Sequence, residues 1–135
     1  MDVHTREQRS RNMRAIKGKN TQPEIAVRKL VHRLGYRFSL HRKDLPGKPD
    51  LVFRSRRRVI FVHGCYWHMH RCPLGSVIEK TRTEFWQTKR KGNVARDRLR
   101  MRTLDRDGWK VLVVWACELK HPALLERRLE AFLGD

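Results

Sequence analysis

The stretch from His63 to about Lys80 restricts this chain most. It has no hydrophobic period and is made of His, Cys, aromatics, Pro and Gly, so it reads as a long loop that needs an anchor other than an apolar core. Cys65, His70 and Cys72 form a Cys-x4-His-x-Cys cluster inside it, and the only other cysteine, Cys117, falls just beyond the last expected strand. Together they supply the four ligands of a Cys3His zinc site. Such a site is tetrahedral and closed, leaves no position for water, and is therefore structural. Zinc would staple the loop to the sheet; the alternative is three unconnected thiols and a surface His. An odd cysteine count and no signal-peptide h-region after Met1 fit a reducing, cytoplasmic setting, where thiols bind metal or stay inert.

The periodicity on either side of the loop describes one domain, residues 1–135. Thr5 with Gln8 opens a capping signature over a segment to Ile16 that has almost no apolar face, and residues 1–18 read as a basic arm ahead of a core over 19–135. Thr21 with Glu24, and Pro23 in the first turn, lead into Val27, Leu30, Val31 and Leu34, with Gly35 as the stop, which predicts a helix. Alternation over Tyr36, Phe38 and Leu40 predicts a strand, Pro46 to Pro49 a turn, and Leu51 to Phe53 a second strand. The continuous apolar run Val59 to Val62 predicts a central strand buried on both faces. A helix from Thr83 to Gly108, a buried strand from Trp109 to Trp115, and a terminal helix marked by Leu125, Leu129 and Phe132 complete the order. A hairpin meander followed by a helical crossover gives a mixed central sheet flanked by helices, of α/β or α+β class.

Charge narrows the partner. Against 32 Lys and Arg there are 14 Asp and Glu, a net charge of +18, and such an excess seeks a polyanion. No apolar run approaches the roughly 20 residues of a membrane span, so nucleic acid is expected rather than membrane. A monomer is expected, since no apolar helix face is spare.

Several residues can carry chemistry. His63 and His68 flank Cys65 and are free for proton transfer once zinc has taken His70; otherwise they are solvated neighbours. Asp50, after Pro49 at a strand start, is a candidate Mg2+ ligand or an acid placed there for local turn reasons. Trp67, in the loop with Tyr66, suits a wedge between bases, while Phe85 reads as core filler and Trp109 and Trp115 as structural. Met13 and Ile16 on the arm suggest apolar contact with DNA.

These residues resemble the very short patch repair endonucleases of bacteria, which nick DNA beside T:G mismatches left by 5-methylcytosine deamination. The resemblance rests on Arg9 to Ile16, on Leu45 Pro46 Gly47 Lys48 Pro49 Asp50, on Val62 to Cys72, on Thr81 to Trp86, and on Gly108 to Trp115. It implies a PD-(D/E)xK, restriction-endonuclease-like core with a structural Zn2+ on Cys65, His70, Cys72 and Cys117, and a catalytic Mg2+ on Asp50 and the main-chain carbonyl of Val62. Phe61 and His63 stand where that superfamily has an acid and a lysine. His68 is implied as base or water-orienting group, and His63 and Glu24 as partners of metal-bound water. Tyr66, Trp67 and Trp86 are implied as the aromatic wedge, with Met13, Arg14 and Ile16 on the arm contacting double-stranded DNA. The family often has Thr at Val62 and Phe at Tyr66; a carbonyl ligand survives the first change, whereas a hydroxyl role would not. The competing expectation is a zinc-stabilised nucleic-acid-binding module without catalysis.

Overall fold

Thr21 caps the first helix as its sequence signature predicts, its hydroxyl accepting from the Glu24 N–H at 3.4 Å. That helix, α1, spans Gln22–Arg33. The computed structural model describes residues 21–134, so the basic arm, with Met13, Arg14 and Ile16, lies outside the described residues. After α1 come β1 (Ser39–Leu40), β2 (Leu51–Phe53), β3 (Arg58–His63), helix α2 (Thr83–Arg106), β4 (Lys110–Trp115) and helix α3 (Pro122–Leu133), with single 3-10 turns after β2 and β4.

The sheet order is β1-β2-β3-β4. β1 and β3 each run antiparallel to β2, while β4 returns parallel to β3 with Arg58 opposite Lys110 and His63 opposite Trp115. The mixed sheet flanked by helices is thus the one expected, and the α2 crossover supplies its parallel pair. On one face α1 and α3 bury Val27, Val31, Leu125, Leu129 and Leu133 against Leu51, Ile60 and Val114. On the other, Leu104 of α2 and Trp109 close over Val52, Val59 and Phe61. β3 is therefore covered on both sides, which is why its sequence shows a run rather than an alternation.

Three boundaries differ from expectation. The strand expected from Tyr36 shrinks to Ser39–Leu40 because the Tyr36 N–H bonds back to the Val31 carbonyl at 3.3 Å and closes α1. The Trp109 N–H likewise bonds the Leu104 carbonyl at 2.9 Å, so β4 begins at Lys110. In α3 the buried stripe continues to Leu133, with Phe132 only partly covered.

The strand ends gather what the site needs. His41 follows β1, Asp50 precedes β2, His63 ends β3, and Cys117 lies in the turn after β4. Given the strand directions, all four stand at one end of the sheet, the carboxyl end of the parallel pair.

Leu129→Ala, at a fully buried position, should cost roughly 2–5 kcal/mol in urea unfolding. Leu124→Ala, on the exposed side of the same helix, should change stability by less than about 0.5 kcal/mol.

Candidate active site

Three clusters of potential ligands or proton carriers meet at this end of the sheet. In the first, Cys65, His70, Cys72 and Cys117 bring one ligand atom each to within 4.8 Å of one another, with Cys117 Sγ 3.5 Å from His70 Nδ1. The backbone prepares the knot: the His70 N–H donates to the Cys65 carbonyl and the Ser76 N–H to the Cys72 carbonyl, each at 3.0 Å. Gly75 is required, because a Cβ there would sit 2.0 Å from the His70 carbonyl oxygen. The Gly75 backbone N–H lowers the Cys72 thiol to about 6, while burial raises Cys65 to about 11. A soft cation suits this donor set, and the residues fit a closed tetrahedral metal site. Glu118 fixes the Cys117 turn by accepting the Trp115 N–H at 2.9 Å and an Arg128 nitrogen at 2.6 and 2.7 Å.

The second cluster joins His63, His68 and Asp97. The imidazoles of His63 and His68 stack at 3.8 Å, nearly parallel, and Trp115 meets His63 edge-on at 5.3 Å. Asp97 Oδ2 is 2.5 Å from His68 Nδ1. Burial, reinforced by repulsion from His68, holds His63 down at about 4. These groups line a cleft of about 750 Å3 between α2 and the loop, together with Arg71, Lys91 and Arg98.

The third cluster is Glu24, His41 and Asp50. Asp50 Oδ2 accepts the Val62 N–H at 2.6 Å, so the carboxylate is fixed to β3 one residue before His63. Glu24 Oε2 accepts from Arg28 at 3.1 Å and pairs with His41 Nε2 at 3.0 Å. Burial, with the nearby charge of Glu24 adding to it, raises Asp50 to about 7 against the opposing Val62 hydrogen bond. Neither Asp50 nor Glu24 lines the cleft of the two histidines; the link between the groups is the Val62–His63 backbone.

Helix α2 grips the loop with a polar stripe. Arg90, fully buried, donates to the carbonyls of Tyr66 at 2.7 Å, Gly75 at 2.6 Å and Val77 at 2.9 Å, and pairs with Glu79 at 3.0 Å. Its guanidinium also lies 4.2 Å from the Tyr66 ring centroid, and the Tyr66 hydroxyl donates to Glu79 at 2.6 Å, which holds that carboxyl down at about 2. Asn93 donates to the Trp67 carbonyl at 3.1 Å. Arg90, Asn93 and Asp97, at i, i+3 and i+7 on one helix face, thus hold the consecutive residues Tyr66, Trp67 and His68.

The aromatic rim follows from that grip. Trp67 is exposed at the tip, 6.0 Å from Trp86 and edge-on to Tyr66 at 5.0 Å. Phe85 is not core filler. It is 45% exposed and lies under Arg82 at 4.2 Å, because α2 buries only Arg90 and Leu104. Trp115 lines the cleft and stacks on His70 at 4.2 Å.

Of the expected site residues, Cys65, His70, Cys72 and Cys117 come together, as do His63 with His68 and Glu24 with Asp50. His41, Asp97, Arg90 and Asn93 went unread. Asp97 and Asn93 had a usable signal, non-basic polar residues at helical spacing from Arg90 in a strongly basic segment; His41 had none beyond following a strand.

A family model described as DNA mismatch endonuclease Vsr matches residues 1–74. The chain is 52% identical over 127 residues to the type II nicking enzyme V.XorIIP of Xanthomonas oryzae pv. oryzae, covering 94% of this chain and 93% of that protein. It is 44% identical to the DNA mismatch endonuclease Vsr of Escherichia coli K12, over 99% of this chain and 89% of that one. The type II nicking enzyme V.NmeAIP of Neisseria meningitidis serogroup A is 41% identical, over 99% and 95% of the two chains.

Arg90→Met should leave three loop carbonyls without their donor and lower stability by about 3 kcal/mol. Limited proteolysis should then cut between Tyr66 and Glu79 well before the rest of the chain. A second expectation concerns pH. Folded Asp50 keeps its proton between about 3.8 and 7, where the unfolded chain has lost it, so its contribution is full below that window and fades as pH rises through it. His63 acts oppositely between about 4 and 6.5, adding stability as pH rises. Denaturant midpoints in magnesium-free protein with its cysteine site filled by zinc should therefore rise from pH 4 to 6.5 in Asp50→Asn and fall from pH 4 to 7 in His63→Asn.

Proposed function

The chain belongs to the family of the DNA mismatch endonuclease Vsr, and from this premise we propose that it nicks one strand of duplex DNA beside T:G mismatches produced by 5-methylcytosine deamination. The observation that carries this reading is the Asp50 carboxylate, seated on the Val62 N–H at 2.6 Å, one residue before an imidazole that stacks on His68. In this reading residues 19–135 form a restriction-endonuclease-like core, residues 1–18 an arm on the DNA, and the enzyme works as a cytoplasmic monomer. Among the described residues no helix is long and apolar enough to cross a membrane.

Mg2+ held by Asp50 and the Val62 carbonyl would neutralise charge on the scissile phosphate and acidify a bound water. The protein's own part is proton handling and positioning. Asp97 accepts a hydrogen bond from the Nδ1–H of His68, which leaves the Nε2 lone pair free to accept a proton from the attacking water. His63 stays neutral at physiological pH because its environment opposes the charged form, and it orients water, while Glu24 stands beside the metal carboxylate. Zn2+ on Cys65, His70, Cys72 and Cys117 would lock the loop that carries His68, with no part in the chemistry.

Substrate choice follows from deformability. Trp67, backed by Trp86 and Tyr66, wedges into the stack, with Met13 and Ile16 of the arm at the opposite groove and Arg14 on the backbone. A T:G wobble pair opens at lower cost than a matched pair. The basic face of α2 supplies phosphate affinity with little discrimination.

The test is a nicking assay with T:G, A:C and fully paired duplexes of one length. T:G duplex should be cut at least about 100-fold faster than matched duplex, in a Mg2+-dependent way. Asp50→Asn should abolish nicking while leaving binding within about threefold, and His68→Asn should slow nicking by about 100-fold. Equal cutting of all three duplexes would discard mismatch choice, and binding with no cleavage by the parent protein would favour a non-catalytic module.

A further inference from the structure

His41 has no part in the machinery proposed above, yet it sits among the carboxylates that machinery uses. It follows β1 directly, and its backbone adopts φ +45°, a left-handed conformation that costs energy in a residue with a Cβ. Its side chain is only 12% exposed, against 6% for Glu24 and 15% for Asp50. A strained, largely buried imidazole between two acids calls for a reason.

The distances supply one. His41 Nε2 lies 3.0 Å from Glu24 Oε2 and 3.7 Å from Asp50 Oδ1. Asp50 Oδ2 is engaged by the Val62 N–H, so Oδ1 is the oxygen turned toward the imidazole. The 3.0 Å separation is that between adjacent ligands of a single octahedral ion whose bonds are about 2.1 Å long, and Asp50 Oδ1, at 3.7 Å, would have to close by about 0.7 Å to join the same set. A divalent cation placed here would meet one nitrogen and two carboxylate oxygens that lie within 4.8 Å of one another.

We propose that His41 Nε2 is a direct ligand of the divalent ion, alongside Asp50 Oδ1 and Glu24 Oε2, and that it biases this site toward imidazole-tolerant ions such as Mn2+ and Co2+ over Mg2+. The proposal rests on the reading of Asp50 as the metal carboxylate. Nitrogen selects along the first-row series, where affinity rises from Mn2+ to Co2+, while Mg2+ favours oxygen and keeps its waters. An imidazole binds a cation through the lone pair of one ring nitrogen, and Nε2 is the His41 nitrogen that faces the two carboxylates.

The experiment uses the full chain with its cysteine site filled by zinc. Mn2+ binding is followed by the loss of the free-ion EPR signal, and bound Mn2+ is examined by pulsed EPR for coupling to a 14N nucleus. The parent protein should show a 14N coupling that His63→Asn and His68→Asn retain and that His41→Asn and His41→Gln both lose. Both His41 variants should bind Mn2+ about tenfold more weakly, with Mg2+ affinity, measured by competition, changed less than about threefold. A 14N coupling that survives both His41 substitutions, or an equal loss of Mn2+ and Mg2+ affinity, overturns the proposal and leaves the nuclease reading standing. Mn2+ binding that survives Asp50→Asn overturns the metal role of Asp50 and with it both readings.

Discussion

The six-residue parallel ladder between β3 and β4, with Arg58 opposite Lys110 and His63 opposite Trp115, is the constraint on which the site depends. Side chains alternate along a strand, so a slip of one residue would turn His63 to the opposite face and part Cys65 from the turn that carries Cys117. The register is set by packing: Val59 and Phe61 close against Leu104 and Trp109 on the α2 face, while Ile60 and Val114 join the core under α1 and α3. The chemistry at the strand ends thus inherits its geometry from aliphatic contacts deeper in the sheet.

Electrostatics works on a different scale from packing. The net charge of +18 is a field of the whole surface and acts on a polyanion at a distance. Several of the 14 acids hold local structure against that field: Glu24 with Arg28, Glu79 with Arg90, Asp97 with His68, and Glu118 with Arg128. Asp50 differs. Its partners are a backbone N–H, an imidazole and another carboxylate, and burial raises it to about 7, so it is the acid in this group with the most to gain from a cation.

What the sequence revealed follows from which forces leave a periodic trace. Helices α1 and α3 and strand β3 bury apolar side chains at 3.6-residue or continuous spacing, and all were legible. The Cys3His knot was legible because cysteine is rare and its chemistry narrow. Strand β1 was overread because alternation at Tyr36, Phe38 and Leu40 says nothing of the Tyr36 N–H, which is spent on closing α1. Phe85 was misplaced because hydrophobicity alone suggested burial, whereas the inward face of α2 is polar. His41 was invisible because its meaning lies in two residues from other elements, Glu24 and Asp50.

That polar face also bears on how the loop is held. Cys65, His70 and Cys72 gather with Cys117 on one side of it, whereas α2 holds it at Tyr66, Trp67 and His68 through Arg90, Asn93 and Asp97. The two sets interleave along the chain, so each restrains residues that the other leaves between its anchors. A metal knot alone would leave the segment from Tyr66 to Met69 as an unsupported bulge between ligands. Hydrogen bonds from α2 alone would hold Tyr66 to His68 and, through Arg90, Gly75 to Glu79, and would leave Cys72 without a tie to Cys117. Because Asp97 orients His68 directly, the imidazole that would handle the proton is referenced to α2, while His63, which stacks on it, is referenced to β3. Helix and sheet must therefore stay in register for the two rings to stay in contact, and Leu104, packed against Val59 and Phe61 at the far end of α2, is the apolar contact that keeps them so.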